Sequence, residues 1–203
     1  MKIGILLGDD IGLEVVPECV KVMKAATSRS GLSIDWRPLP IGKRGHEEHG
    51  DTLPAVTEKA LHDLHGWVCG PIGHATYPRN DPTWVMPPIR KKYELFAAIR
   101  PSLSHSNLKS VHKNVDIVFV RELTEGMLYS ETVVAGAPEF RPNDDITIAM
   151  RVITRKGSNR VAREAFEIAR TRERKKVTAA HKEPVYRLAC GMFAEECRKV
   201  ARE

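Results

Sequence analysis

Residues 2–14 read KIGILLGDDIGLE: an Ile- and Leu-rich run that stops at Gly8-Asp9-Asp10 and reopens as a helix start. A short apolar run closed by Gly and Asp predicts a buried strand and a turn. From 14 to 28, Val16, Val20, Met23 and Ala26 fall at helical spacing, with Gly31 beyond the end. Pro17 sits in the first turn of that helix, where a missing N–H costs little. Working outward, residues 33–39 read as a second strand, 54–64 as a helix, and 66–70 as a brief strand cut off by Gly70-Pro71. The order β-α-β-α-β over seventy residues predicts an α/β layer with mostly parallel strands.

Beyond it, Pro71, Pro78, Pro82, Pro87 and Pro88 predict an irregular loop before a helix at 89–96 and a strand from 97. Residues 116–120 form the most hydrophobic strand candidate and run straight into Arg121-Glu122. The stretch 123–145 has the Gly and Pro content of a hairpin or arm, and 146–153 alternates as a half-exposed strand does. Ser158 is expected to cap a helix reaching 174, followed by a strand at 176–180 and a last amphipathic helix at 183–202. Two regions follow: a first α/β domain at 1–100, and a second α+β domain at 101–203 that has more antiparallel character and carries the arm.

The chain has 203 residues, 42% hydrophobic and 29% charged, an ordinary globular mixture. No apolar run approaches the roughly 20 residues of a membrane helix, and the N-terminal one is too short for a signal peptide. Four scattered cysteines make neither a metal spacing nor a disulfide framework, which favours reduced thiols and a cytoplasmic protein. The net charge of +6 is uneven: from Met150 onward there are 15 Lys/Arg against 7 Asp/Glu, and before it 17 against 19. A basic half fits nucleic acid or an anionic small substrate. The run RTRERKK at 170–176 lacks interleaved aromatics and ends a helix, where cations suit the dipole, so nucleic acid is not expected.

Three arginines stand near element ends: Arg90, Arg100 and Arg121. A guanidinium is a planar fork that grips a carboxylate with two parallel hydrogen bonds, so a converging set would bind a di- or tricarboxylate. Three solvated surface arginines would produce the same spacing. Lys182 follows an apolar strand candidate, a place where a partly desolvated lysine can shuttle a proton; a lysine in a basic region looks the same. The turns Gly8-Asp9-Asp10-Ile11-Gly12 and Gly70-Pro71-Ile72-Gly73 both close strands and can face one ligand, the first with helix-start N–H groups available to an anion. His46/His49 and His62/His65 are i, i+3 pairs with no further ligand beside them, and zinc is not expected.

Taken together, LLGDDIGLE (6–14), IRKKYELFAAIRP (89–101), VRELTEG (120–126) and the stretch from MRVITRKGSNRVAREAFEIAR (150–170) through VTAAHK (177–182) resemble the β-decarboxylating dehydrogenases: isopropylmalate, isocitrate, homoisocitrate and tartrate dehydrogenases. The resemblance runs along essentially the whole chain in the family's order. It implies a 2-hydroxy di- or tricarboxylate oxidised by hydride transfer to NAD or NADP, with Mg²⁺ or Mn²⁺, loss of CO₂ and reprotonation of an enolate. By that resemblance Arg90, Arg100 and Arg121 hold substrate carboxylates. Lys182 is the proton-shuttling lysine serving the partner subunit of a homodimer, and Ile11, Ile72 and Gly73 lie near the nicotinamide.

Three departures stand out. Asp10 and Leu13 replace the Gly and Pro usual in the family's first turn. Leu128 falls on the family's catalytic tyrosine, with Tyr129 one place later as the candidate substitute. The chain also ends about where the family reaches mid-protein, so its metal-binding aspartates and adenosine loop are expected in a missing C-terminal half. The alternative is an inactive subunit or dimerisation module without catalysis of its own.

Overall fold

A computed structural model of the chain describes residues 1–73, 85–127 and 139–203. Its contacts group Met1–Pro88 and Ile89–Glu203 as two compact units. From sequence a division near residue 100 is expected. It falls earlier because the strand that starts at Ala97 finds its ladder partner in the second unit.

In the first unit, β1 (Lys2–Leu6) is flanked on both sides by parallel strands, β2 (Asp35–Pro38) and β3 (Gly66–Cys69). Parallel pairing requires crossovers. These are α1 (Gly12–Arg29) between β1 and β2, and the short α2 (Lys43–His49) and α3 (Ala55–Leu61) between β2 and β3. Of the helical spacing read in α1, Val16 and Val20 turn inward together with Gly12, whereas Met23 is half-buried and Ala26 exposed. Leu6, Ile41 and Leu61 fill the core, where the Thr57 hydroxyl donates to the Pro40 carbonyl at 2.6 Å. That bond satisfies a polar group that burial would otherwise penalise.

α4 (Met86–Lys92) leads into the second unit. There β4 (Ala97–Leu103) and β5 (Asp116–Glu122) form an antiparallel ladder from Ala97↔Glu122 to Leu103↔Asp116. Pro101 sits inside β4, which a two-strand ladder tolerates because every strand is an edge. β6 (Glu139–Asn143) and β7 (Ile146–Ala149) form a hairpin with a register shift; β6 falls in the stretch read as a hairpin or arm, and β7 is the first part of the strand read at 146–153. α5 (Arg155–Arg170) and α6 (Ala189–Val200) lie side by side. Contacts from Arg155 to Glu195, from Asn159 to Glu196 and from Arg163 to Glu203 step along both helices in one sense, so the pair runs parallel.

Four expectations about the elements are corrected. α5 is capped by Thr154, whose extended backbone lets its hydroxyl accept from Gly157 N at 3.0 Å; Ser158 lies buried inside the first turn. The helix stops at Arg170, before the crowded cations of 172–176. Residues 176–180 form no strand, since no strand lies against them among the described residues. The last helix begins at Ala189 rather than 183, after a turn in which Val185 and Tyr186 N–H groups donate to the Lys182 carbonyl.

Glu196 joins the two helices. Hydrogen bonds from Asn159 and then Arg155 hold its carboxyl below its ordinary value of 4.5. A depressed folded value means that this stabilisation is complete above pH 4.5 and fades as pH falls through the folded value. Glu196→Gln is therefore expected to flatten the pH dependence of the urea midpoint below pH 4.5, read by circular dichroism at several pH values. An unchanged pH profile would contradict this linkage.

Candidate functional site

The β4–β5 register decides where the arginines point. Ala98 lies opposite Arg121 and Arg100 opposite Phe119. Side chains alternate across a strand, so Arg100 and Arg121 share one face of the ladder as diagonal neighbours. Arg100 lies within β4 rather than at its end, and Arg121 is the penultimate residue of β5. Both line a cleft of about 710 Å³ in the second unit, with Glu122, Glu125, Arg151 and His181 also on its walls. Neither Arg100 nor Arg121 is ion-paired among the described residues.

The two wall carboxylates are already occupied. Glu122 accepts from Thr124 N at 2.7 Å, Thr124 Oγ1 at 2.5 Å, Glu125 N at 2.8 Å and the Arg160 guanidinium at 3.0 Å. Glu125 accepts from Thr154 N at 2.9 Å and from the Thr154 hydroxyl. These bonds tie the end of β5 to the start of α5, so the strand that carries Arg121 is anchored just past it. Free guanidinium groups beside saturated carboxylates make a cleft suited to an anion.

The other expected residues are distributed as follows. Arg90, half-buried on α4, is not among the cleft-lining residues. Lys182 is exposed and off the wall, although its neighbours Ala180 and His181 line it. Tyr129, together with Leu128, lies outside the described residues. Sequence reasoning missed Arg151, as well as Glu122 and Glu125 as anchors; the carboxylates of VRELTEG stood next to the arginine but offered no periodicity to single them out.

In the first unit the two glycine turns do come together. Asp9 N donates to the Pro71 carbonyl at 2.7 Å, and the Asp9 carboxylate, only 3% exposed, accepts from Lys43 N at 2.7 Å and Gly73 N at 2.8 Å. A Cβ on Gly8 would lie 2.2 Å from the Pro71 carbonyl oxygen, and one on Gly70 would lie 1.9 Å from that of Leu7. Only glycine permits this approach. The expectation that helix-start N–H groups are available to an anion fails at the first three helix positions. Gly12, Leu13 and Glu14 N–H groups donate to Asp9, Asp10 and Ile11 carbonyls, and that of Gly73 is held by Asp9. Ile11, 53% exposed, stands beside the exposed Asp10 carboxylate, and Ile72 is half-buried next to Gly73. Asp10 has φ 48°, in the left-handed region, and aspartate is among the residues that tolerate it.

No group of three or more His, Cys, Asp or Glu side chains among the described residues is placed to hold a metal ion. The four cysteines are free, Cys190 is buried, and burial pushes the Cys197 thiol up. No helix of the described residues is long and apolar enough to cross a membrane.

The sequence profile of the isocitrate/isopropylmalate dehydrogenases matches residues 2–203. The chain belongs to that family. It is 32% identical over 202 residues to the 3-isopropylmalate dehydrogenase of Archaeoglobus fulgidus, a match covering 100% of this chain and 56% of that one. Against subunit 2 of the mitochondrial NAD isocitrate dehydrogenase of Kluyveromyces lactis, identity is 33%, over 99% of this chain and 51% of the relative. The solved isocitrate dehydrogenase of Methylococcus capsulatus superposes with a TM-score of 0.81 at 31% identity, covering 99% of this dehydrogenase-family chain and 57% of its counterpart. The family's α/β architecture with a parallel sheet is thus present, and the chain spans little more than half the length of these relatives.

Proposed function

We propose that this chain is the arginine- and lysine-bearing portion of a dehydrogenase that oxidatively decarboxylates a 2-hydroxy di- or tricarboxylate of the isopropylmalate, isocitrate, homoisocitrate or tartrate type. The observation that carries the reading is the pair of unpaired guanidinium groups, Arg100 and Arg121, on one face of one ladder in one cleft. Two forks so placed fix substrate carboxylates and thereby orient the C2–H bond to be broken. Arg90 is the third substrate arginine in this reading. NAD or NADP, bound near Ile11, Ile72 and Gly73, supplies the hydride acceptor.

Oxidation removes a hydride from C2 and a proton from its hydroxyl. The resulting β-keto acid loses CO₂, and its enolate takes up a proton. Guanidinium groups stabilise the negative charge as it develops, and Lys182 carries the protons. Lys182 is exposed and stands off its own cleft, which suits a side chain that serves a second copy of the chain in a homodimer. Mg²⁺ or Mn²⁺ is carried over from the family alone: the described residues offer it no ligand set, and no step here runs through it. Reduced thiols favour action in the cytoplasm.

The test is turnover by this chain joined to the remaining C-terminal segment of the Archaeoglobus relative, supplied with Mn²⁺, NAD or NADP and a panel of 2-hydroxy di- and tricarboxylates. The expected result is reduced cofactor and CO₂ released one for one. No turnover with any member of the panel would favour the alternative, a dimerisation module without catalysis.

A further inference from the structure

We infer that Arg151 is a third anion-gripping arginine of the cleft, one that selects ligands with a carboxylate beyond those held by Arg100 and Arg121. The inference rests on the carboxylate-binding reading above and deepens it. Chain topology brings Arg151 there. Past β5, Gly126 pairs with Val152 as an isolated antiparallel bridge, with Gly126 N donating to Val152 O at 2.8 Å and Val152 N to Gly126 O at 3.3 Å. Residues 151 and 153 flank that bridge and, by alternation, project to the side opposite Val152. Both line the cleft.

The charge surrounding Arg151 is unbalanced. Its guanidinium stands 5.7 Å above the Tyr186 ring, a contact that orients a cation without neutralising it. No carboxylate pairs with Arg151 among the described residues. The two acids on the walls are committed elsewhere, Glu122 to Arg160 and backbone amides, Glu125 to Thr154. His181 adds no acceptor for it, because its Nδ1 accepts from Glu183 N at 3.2 Å. By contrast, Arg155, Arg160 and Arg198 of the same unit each have a carboxylate at 3.0 Å. Three forks without counter-ions in one cleft call for a ligand richer in carboxylates than two forks require.

The experiment uses the chain as it stands, titrated by calorimetry at low ionic strength with citrate, a tricarboxylate, and L-malate, a dicarboxylate. Arg151→Gln is expected to weaken citrate by about tenfold, the worth of one charge-assisted contact, and malate by less than about twofold. Arg151→Lys restores part of the citrate affinity, since charge returns without the fork. Arg100→Gln serves as the control and weakens both ligands. If Arg151→Gln spares citrate, or weakens both ligands alike, while Arg100→Gln still weakens both, the inference is overturned and the carboxylate reading stands. If Arg100→Gln weakens neither, or the unaltered chain binds neither, the carboxylate reading falls and Arg151 with it. Arg151 is exposed, so circular dichroism of both variants should match the parent; should Arg151→Gln fail to fold, citrate binding by Arg151→Lys at parental strength overturns the inference.

Discussion

Lys182→Ala, made in the chain joined to its relative's C-terminal segment, is expected to lower turnover by about 10²–10⁴-fold, the usual worth of a positioned acid or base. The fold should not notice. Lys182 is exposed, no carboxylate pairs with its ammonium among the described residues, and the turn it opens is held by its backbone carbonyl, which alanine keeps. Surface changes of this kind stay within about 0.5 kcal/mol of the parent. Lys182→Arg should not rescue the rate, because a guanidinium does not release its proton near neutrality. Turnover measured across pH, with thermal melts on the same samples, separates the two effects. Normal turnover in Lys182→Ala removes this residue from the mechanism.

The second large effect is on stability. Glu122 and Arg160 are paired at 3.0 Å with side chains only 18% and 21% exposed. Arg160 also lies 4.6 Å from the Phe96 ring centroid, donates to Thr124, and has its Nε buried with no partner. Glu122→Ala removes the acceptor for two backbone amides and leaves a largely desolvated guanidinium without its counter-ion. Breaking one side of a fully buried pair costs about 3–5 kcal/mol. Partial solvation here lowers the expectation to about 2–4 kcal/mol, seen as a fall in the urea midpoint with the slope unchanged. A double change, Glu122→Gln with Arg160→Met, should lose less than Glu122→Ala, since nothing charged is stranded. Equal losses would mean that the pair contributes no more than its packing.

Much of the first unit is legible from periodicity. The Ile- and Leu-rich run of β1 announces a strand covered by neighbours, and Val16 and Val20 mark the buried stripe of α1. The second unit is less legible because its elements depend on partners distant in sequence. Residues 176–180 have strand composition, yet no ladder partner lies beside them among the described residues. Thr154 outcompetes Ser158 as the cap because Glu125, 29 residues away, fixes its hydroxyl and amide. Register is likewise invisible in a linear reading. That Arg100 and Arg121 share a face follows only from Ala98 standing opposite Arg121. Asp9 reads as a turn former, but as a buried acceptor of two amides from distant loops it could not be foreseen from its neighbours.

In the proposed function two guanidinium groups act as one anion site, and the Nε–Hε resonances of arginine report this directly. In a ¹⁵N-labelled chain titrated with L-malate at low salt, the signals of Arg100 and Arg121, assigned through Arg100→Lys and Arg121→Lys, are expected to move together along one isotherm with a single dissociation constant. Signals that move with different constants, or that stay fixed while malate saturates the solution, would contradict a shared carboxylate site.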